Sequence, residues 1–291
     1  MDLLRLPYLG QQKILQLADP ASVVNFALSS EECARIVKTI NLYVEDLRLV
    51  ISGESCRIEL KFFYHQKKFS WAFMPSQTSR IVKYYRNKTI SETMFPYERM
   101  MLAADFVTKV IRFPVSSVSG NGETWRMQEL VNSRLIKQVD KVQLTNTFIA
   151  NPCRFELKEL EVLLINQCNW FTTSSLEAWN PKYLKIKTPY FSSWMTNLFI
   201  QDCCNLDKNG KLRRIVFYGK YNKVQILEDL NSKRFEKGRR QEIYPGPKPL
   251  DCKLGYDIER KDGLLSTIVF GRERIDFVFW HERFPGDNYE F

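Results

Sequence analysis

The side chains that most often carry acid–base, nucleophilic or metal chemistry are few in this chain and lie far apart. There are two histidines, His65 and His281, and seven cysteines without a Cys-x-x-Cys pair. A zinc site needs three or four such ligands, usually at short spacings, and a catalytic cysteine needs a nearby base. The sequence therefore predicts that the protein is not an enzyme and holds no cofactor or metal. A site assembled from residues distant in sequence is the alternative.

Length and composition fit a folded protein that stays out of the membrane. The chain has 291 residues, of which 44% are hydrophobic and 13% aromatic, enough for a small module and a larger domain with a sizeable core. It contains no run of about 18 apolar residues, so no bilayer span and no membrane partner are expected. The cysteines are odd in number and scattered, and the first residues lack a secretory pattern. We therefore expect an intracellular protein, cytoplasmic or nuclear.

Positive charge is concentrated in one stretch of the chain. The formal net charge is +10, and residues 211–240 contain ten lysines and arginines against three acidic residues. Such a segment can bind phosphate backbones or an acidic protein, although most charge runs are simply solvated. No zinc-finger, helix-turn-helix or RNA-recognition motif accompanies it, so nucleic acid is not an expected partner. A binding protein without a ligase, whose basic face at 211–240 engages RNA or an acidic partner, is the alternative function.

The first forty or so residues carry more apolar side chains than so small a unit can bury. Asp19-Pro20 predicts a helix start, since aspartate caps free N–H groups and proline suits the first turn. The Ser29-Ser30 pair predicts a break before a third short helix. Eight apolar residues remain outside the helical stripes: Leu4, Leu6, Leu9, Ile14, Leu15, Leu17, Val24 and Leu28. Because so short a unit has little interior, this surplus predicts a surface for a partner protein.

This N-terminal stretch resembles an F-box, the module by which substrate receptors dock on the Skp adaptor of Skp–cullin–F-box ubiquitin ligases. The residues that carry the resemblance are Leu6-Pro7, Ile14-Leu15, Asp19-Pro20 and the segment 26–30, Phe-Ala-Leu-Ser-Ser. The start of the chain, Leu-Leu-Arg-Leu-Pro at 3–7, is similar to the large nematode F-box family in particular.

The resemblance implies how the chain assembles with other proteins. A Skp-type adaptor, and through it a cullin, would be a partner. The implied adaptor-binding residues are Leu6, Pro7, Leu9, Ile14, Leu15, Leu28 and Ser29. A target protein would bind elsewhere, at residues that the sequence does not identify. The chain departs from the family pattern at Glu31-Glu32, where a basic residue is usual, and in having no tryptophan in the third helix. The alternative is a helical hairpin that packs on its own domain.

Four segments in the middle of the chain share an alternating apolar pattern at regular intervals. Their apolar residues are Val139-Val142-Leu144, Leu160-Leu163-Ile165, Pro181-Leu184-Ile186 and Leu212-Ile215-Phe217. The matching positions 142, 163, 184 and 215 are 21, 21 and 31 residues apart, and the alternation predicts short strands. Spacings in the twenties are typical of a leucine-rich-repeat-like α/β stack, which we predict for residues 105–250. An ordinary α/β domain with coincidental spacing is the alternative.

Two helices are predicted near the last repeat. One lies within the interval of 31 residues, and the other follows the last repeat. Five apolar residues recur at helical spacing and predict a helix: Phe191, Trp194, Met195, Leu198 and Phe199. A second helix is predicted from Val224 to Phe235.

Strand patterns precede and follow the repeats. Between 43 and 104, alternating apolar residues predict a β-meander, and Met94 to Val110 predict a linker helix. Within 251–291, two strands flank the turn Lys261-Asp262-Gly263, and a third runs from Ile275 to Trp280. This end of the chain, together with 113–118 and 212–215, is similar to the F-box-associated (type 2) domain of the same nematode family. A meander here would cap the open edge of the repeat stack.

The predicted architecture and function follow from these observations. The fold class is α+β: an N-terminal three-helix F-box, then a leucine-rich-repeat-like α/β stack closed by a C-terminal β-meander. The predicted segments are 1–42 for adaptor docking, 43–104 for the meander and linker helix, 105–250 for the repeat-like F-box-associated domain, and 251–291 for the cap. The resemblance implies the substrate-recognition subunit of a Skp–cullin–F-box ubiquitin ligase, which binds a target protein with its C-terminal domain.

Overall fold

The computed structural model describes most of the chain between Leu3 and Glu282. The described residues are 3–66, 68–77, 80–85, 88–122, 129–130, 133–136, 139–146, 160–167, 171–187, 191–205, 211–246 and 248–282. The chain divides into two compact units, unit 1 at residues 1–149 and unit 2 at residues 150–291. Helices and strands occur in both, which confirms the α+β class, with three helices at the N-terminus followed by strands. The finer division into four functional segments stays a prediction.

Unit 1 begins with helices whose first residues the sequence determines. After the 3₁₀ turn Leu3–Arg5, its longer described helices are α1 (Tyr8–Leu17), α2 (Pro20–Ser29), α3 (Glu31–Thr39) and α4 (Pro96–Ile111). The Asp19 carboxylate accepts a hydrogen bond from the Ser22 N–H (3.0 Å), and the Ser30 hydroxyl accepts one from the Cys33 N–H (3.1 Å). These caps satisfy free N–H groups at the starts of α2 and α3. Both predicted helix starts are therefore confirmed.

The linker helix predicted from Met94 to Val110 is α4. It begins at Pro96, two residues later than predicted, because proline suits the first helical turn. It ends at Ile111, where the left-handed Arg112 (φ 57°) turns the chain away.

The described strands of unit 1 form a single sheet. They are β1 (Val44–Ser52), β2 (Ser55–Phe62), β3 (Phe69–Pro75), β4 (Arg80–Tyr85), β5 (Lys88–Thr93), β6 (Ser117–Asn121) and β7 (Lys141–Thr145). Their order is β4-β5-β3-β2-β1-β6-β7. β1, β2 and β3 form the predicted meander, with Leu49 opposite Ile58 and Ile58 opposite Trp71. β6 then pairs in parallel with β1, and β7 with β6, so the repeat pattern begins at β6.

Unit 2 combines parallel strands with an antiparallel end. Its described helices are α5 (Thr173–Trp179), α6 (Ser193–Asn205) and α7 (Lys223–Leu227). Its described strands are β8 (Val162–Asn166), β9 (Tyr183–Lys187), β10 (Arg214–Tyr218), β11 (Lys233–Arg234), β12 (Ile243–Tyr244), β13 (Leu250–Asp251), β14 (Tyr256–Glu259), β15 (Leu265–Phe270) and β16 (Arg274–Phe279). The sheet order is β8-β9-β10-β16-β15-β14-β11, and β12 pairs with β13 apart from it. β8 to β10 are parallel, whereas β14 to β16 form the predicted antiparallel meander and pair with β10 through β16.

The repeat positions face each other in register within each unit. Val142 pairs with Val118 in unit 1, and in unit 2 Leu184 pairs with Leu163 on one side and Ile215 on the other. The eight alternating residues are buried, each with at most 1% of its surface exposed: Val142, Leu144, Leu163, Ile165, Leu184, Ile186, Ile215 and Phe217. The stacked strands predicted from the spacing are therefore confirmed.

The helix predicted from Val224 to Phe235 is wrong beyond Leu227, where α7 ends. The buried side-chain amide of Asn197, on α6, donates to the carbonyls of Ile226 (2.9 Å) and Glu228 (2.7 Å). These bonds satisfy carbonyls that a longer helix would use for its own next turn. Because the cap comes from about 30 residues earlier in the chain, the local apolar spacing carries no sign of it.

Candidate docking surfaces

The N-terminal helices of unit 1 bury one set of apolar side chains and expose another. Val23, Val24, Ala27, Cys33 and Val37 are buried, so α2 and α3 have an interior. Large apolar side chains on the outside are Leu4 (39% exposed), Tyr8 (49%), Leu9 (76%), Ile14 (39%), Leu17 (71%) and Leu28 (44%). A single exposed leucine needs no explanation, whereas a group of them marks an interaction surface. Much of the apolar surplus seen in the sequence therefore lies on the surface.

Six of the seven predicted adaptor-binding residues reach the surface. They are Leu6, Pro7, Leu9, Ile14, Leu28 and Ser29, of which Leu6 is half-buried. Leu15 is only 3% exposed, so its side chain supports α1 from inside the unit and offers no area to a partner. The Ser29 hydroxyl donates to the Phe26 carbonyl (2.6 Å), which keeps this group within its own helix.

Hydrogen bonds hold α1 against the end of α3. The Tyr8 hydroxyl donates to the Thr39 carbonyl (3.1 Å), and the Gln16 side-chain amide donates to the Asn41 carbonyl (3.1 Å). Leu9 follows the first of these donors and Leu17 follows the second. Residues eight apart are about 80° apart around a helix, so both leucines lie on one side of a helix that is held at both ends.

Leu17 is a prominent residue of this surface that the predicted adaptor set leaves out. Its 71% exposure is nearly that of Leu9 and well above that of Ile14. The F-box resemblance does not include this position, although the residue belongs to the apolar surplus. The signal that could have found it is its helical spacing from Leu9, since positions i and i+8 share a face.

A groove next to Leu28 extends the apolar surface within unit 1. It has a volume of about 420 Å³ and is lined mainly by Leu28, Trp71, Phe73, Leu102, Ala103 and Phe106. The Trp71 indole N–H donates to the Ser91 hydroxyl (2.9 Å), which fixes that ring in the groove wall. Leu102 is 65% exposed at its rim. The predicted docking residue Leu28 is therefore part of a larger apolar surface that includes α4.

In unit 2, the basic segment 211–240 contains charges that are structural. Arg240 is fully buried, and its Nε atom donates to the equally buried Asp257 carboxylate (2.7 Å). Arg214 donates to the buried Asp276 carboxylate from two nitrogens, at 2.6 and 3.0 Å. Each of these two guanidinium groups joins segments of unit 2 that are distant in sequence, so both stabilise its fold.

Two further charges of this segment stack on an aromatic ring. The Lys223 Nζ lies 4.4 Å from the centroid of the Tyr256 ring, and the Arg234 guanidinium carbon lies 5.9 Å from it. The Lys223 and Arg234 side chains also lower the pKa of the Tyr256 hydroxyl, because they hydrogen-bond to and attract its charged form. At least four of the ten basic side chains thus have partners inside unit 2. The RNA-binding alternative stays a prediction, with fewer charges to support it.

The described thiols and the C-terminal histidine are placed for packing. Burial raises the pKa of the Cys204 thiol to about 12 and that of Cys252 to about 11, so both are protonated near neutral pH. The His281 Nε2 atom lies 2.7 Å from the Leu212 carbonyl, and burial lowers the pKa of this imidazole. Within the described ranges, no three His, Cys, Asp or Glu side chains come together as metal ligands.

Comparison with known proteins connects the chain to a nematode sequence. An uncharacterized protein of Caenorhabditis elegans is 19% identical in an alignment of 340 residues that covers 98% of this chain and 80% of that protein. No protein-family model matches the chain, and no solved structure matches it. No helix in the described part of the chain combines the length and hydropathy that a bilayer crossing requires. The chain is therefore similar to a nematode protein along nearly its whole length.

Proposed function

We propose that this protein is the substrate-recognition subunit of a Skp–cullin–F-box ubiquitin ligase. The helices α1 to α3 dock on the Skp-type adaptor, and through it on the cullin, while unit 2 binds a target protein. The observation that carries the proposal is the exposure of four large apolar side chains, Leu9, Ile14 and Leu17 on α1 and Leu28 at the end of α2, which together are named the α1 face. Three of these four residues also belong to the set that the F-box resemblance implies.

Burial of the α1 face in a partner is energetically favourable. Apolar area removed from water contributes about 25 cal/mol per Å², and a buried interface anchor typically carries about 2–4 kcal/mol. Leu9 and Leu17 have the most area left to bury. Because Tyr8 and Gln16 hold α1 in place, docking does not first have to order this helix, and less entropy is lost on binding.

In this role the protein contributes proximity rather than chemistry. Holding a target beside the ubiquitin-charged carrier raises the effective concentration of target lysines near the reactive thioester. Such a receptor needs two binding surfaces on one chain, one for the adaptor and one for the target.

Matched leucine substitutions in the 291-residue chain test the proposal. Changing Leu9→Ser and Leu17→Ser together should weaken binding to a purified Skp-type adaptor about 100-fold or more, because two exposed anchors are lost. Leu254→Ser is the control, since Leu254 is an 89% exposed leucine of unit 2. Isothermal titration calorimetry measures the adaptor affinity of the parent, the double variant and the control. Parental affinity in the double variant, or a parent that does not bind the adaptor, would contradict the proposal.

A further inference from the structure

Helix α6 of unit 2 turns part of its apolar stripe toward solvent. Trp194 is 61% exposed, Met195 41% and Leu198 38%, whereas Phe199 and Ile200 are buried. These three exposed residues form the α6 patch. Tryptophan is among the side chains most enriched at binding hot spots, and grouped exposed apolar residues mark interaction sites. Packing within unit 2 leaves the patch available to a partner.

A pocket lies at the carboxyl ends of the parallel strands β8, β9 and β10. It has a volume of about 290 Å³, and its main lining residues are Asn166, Gln167, Lys187, Phe191, Lys220 and Tyr221. Phe191 also leads into α6, three residues before Trp194. In open α/β sheets, the carboxyl ends of the strands are the usual position for a ligand. This cavity is named the strand-end pocket.

The strand-end pocket is positively charged. Lys187 and Lys220 line it, both are exposed, and none of the described residues that line it is acidic. The side-chain amide of Gln167 also lines the pocket and can supply a further N–H donor. Ammonium and amide donors placed together bind carboxylates or phosphates through charge-assisted hydrogen bonds. The pocket is therefore suited to an anionic group.

The aromatic wall of the pocket is fixed in position. The Tyr221 hydroxyl donates to the Tyr218 carbonyl (3.3 Å). A Cβ atom at Gly219 would lie only 3.2 Å from the Tyr221 ring, so the ring packs closely on a position that glycine leaves open. A rigid wall lowers the entropy that a ligand would otherwise lose in ordering the site.

The pocket and the α6 patch are tied together by a hydrogen bond. The Ser193 hydroxyl accepts from the Asn222 N–H (2.8 Å). Ser193 directly precedes Trp194 in α6, and Asn222 follows the loop that carries Lys220. The charged and the apolar parts of this surface are therefore held at a fixed relation to each other.

We propose that the strand-end pocket and the α6 patch together bind a short acidic segment of another protein. A carboxylate side chain of that segment enters the pocket between Lys187 and Lys220, and an apolar neighbour packs on Trp194. Charge complementarity selects the acidic group, and the patch selects the apolar residue beside it. The inference rests on the proposed function only in identifying that protein as the ligase target, because the binding itself needs no ligase.

A nucleic acid fits this surface less well than an acidic segment. Tight binding of RNA or DNA draws on many phosphate contacts, and the pocket offers two lysines. Among the basic side chains of 211–240, Arg214, Lys223, Arg234 and Arg240 have partners inside unit 2, which leaves fewer charges for phosphates. The pocket volume of about 290 Å³ is at the lower end for ligand sites, which suits a single side chain.

A peptide selection on the 291-residue chain tests the inference. The probe is a displayed library of random peptides, selected in parallel on the parent and on the pocket variant Lys187→Ser/Lys220→Ser. Lys233→Ser/Lys248→Ser is the control, since it removes two exposed lysines of unit 2 that do not line the pocket. The parent and the control should enrich peptides that join Asp or Glu to an apolar residue, and the pocket variant should not. Peptides without acidic enrichment on the parent, or equal enrichment on the pocket variant, would overturn the inference.

The affinity for one selected peptide makes the test quantitative. In fluorescence anisotropy the pocket variant should bind about 10-fold more weakly, about 1.4 kcal/mol in total, because two exposed ion pairs are lost. The control should bind like the parent, and oligouridylate RNA should not displace the peptide; displacement would assign the surface to nucleic acid and overturn the inference.

Adaptor binding separates the two proposals. A failed selection with intact adaptor binding refutes only this inference, and a parent that selects acidic peptides without binding the adaptor refutes only the proposed function.

Discussion

The α1 face and the α6 patch both expose large apolar side chains, but their surroundings differ. On α1 the exposed residues lie on a helix whose ends are hydrogen-bonded to the segment that ends α3, and the face offers mainly apolar area. On α6 the exposed residues stand next to a pocket with two lysines. The α1 face is therefore mainly apolar, with the exposed Lys13 as the one charged residue of α1, whereas unit 2 combines apolar area with two lysines at a pocket.

This difference separates two kinds of recognition. Apolar burial is strong and non-directional, which suits a constant partner such as an adaptor. Charge at a shaped pocket distinguishes one ligand from another, because a mismatched charge is costly to bury. A receptor subunit requires both properties, one at each of its binding surfaces. Each of the following predictions contrasts two matched residues, or the two surfaces themselves, that should differ in stability or in binding.

The largest effect should come from a basic residue that serves structure rather than binding. Arg240→Leu leaves the Asp257 carboxylate buried with the Thr267 hydroxyl still donating to it but without its ionic partner, and should lower the free energy of unfolding by about 3–5 kcal/mol. Lys220→Ser, an exposed charge of the same segment, should change it by at most about 0.5 kcal/mol. Urea titrations followed by circular dichroism measure both. Similar losses in the two variants would contradict the division of this segment into structural and binding charges.

A pair of leucines should show the same contrast between core and surface. Leu184 is fully buried in the repeat stack, so Leu184→Ala should cost about 2–5 kcal/mol of stability. Leu17→Ala should cost at most about 0.5 kcal/mol but weaken adaptor binding. The free energy of unfolding and the adaptor affinity are both measured for each variant, which separates a loss of stability from a loss of binding. A Leu17→Ala protein as unstable as Leu184→Ala would mean that α1 packs inside unit 1 and forms no docking face.

Features with a short-range cause could be predicted from the sequence. The strands of the repeat stack follow from alternation at positions such as Leu163 and Ile165, and the start of α2 follows from Asp19-Pro20. The end of α7 could not be predicted, because its cap is the side chain of Asn197 on another helix. Local spacing describes which residues share a face, and it does not say which distant group will stop the element.

The candidate surfaces were predictable only in part, for a related reason. α1 carries apolar residues around most of its circumference, so the motif that includes Ile14 and Leu15 does not say which one is buried; packing places Leu15 inside. On α6 the helical spacing of Trp194 is real, but the stripe is wider than the face that packs. The strand-end pocket joins Asn166 and Lys187 with a loop lysine, a combination that requires the strand register to be known.

The binding affinities of the two surfaces should depend differently on salt concentration. Raising NaCl from about 50 to about 300 mM should weaken binding of a selected acidic peptide several-fold, because screening reduces the attraction of Lys187 and Lys220. Adaptor binding through the α1 face should weaken less over the same range, since apolar burial is little affected by this salt and Lys13 is the one charged residue of α1. Anisotropy and calorimetry in matched buffers measure the two affinities. A parallel loss at both surfaces would remove the distinction between them.

The smallest effect concerns pH and belongs to unit 2. Burial lowers the pKa of His281 below its usual value of 6.5, and its Nε2 atom lies 2.7 Å from the Leu212 carbonyl. Because the folded pKa is the lower one, the unfolded chain takes up the proton first. The contribution of the neutral ring to stability is therefore complete above about pH 6.5 and is lost as the pH falls through the folded pKa.

This sign predicts a steeper loss of stability on acidification for the parent than for a chain without this imidazole. Between about pH 7.5 and about pH 5, the free energy of unfolding should fall more for the parent than for His281→Gln, which keeps an amide donor but does not titrate. His65→Gln in unit 1 is the matched control, with the same substitution at the other histidine of the chain. Carboxylates that titrate at the lower end of this range contribute equally to all three proteins, so the difference between the curves reports the histidine alone. Parallel curves for the parent and His281→Gln would show that this ring is not held in its neutral form by unit 2.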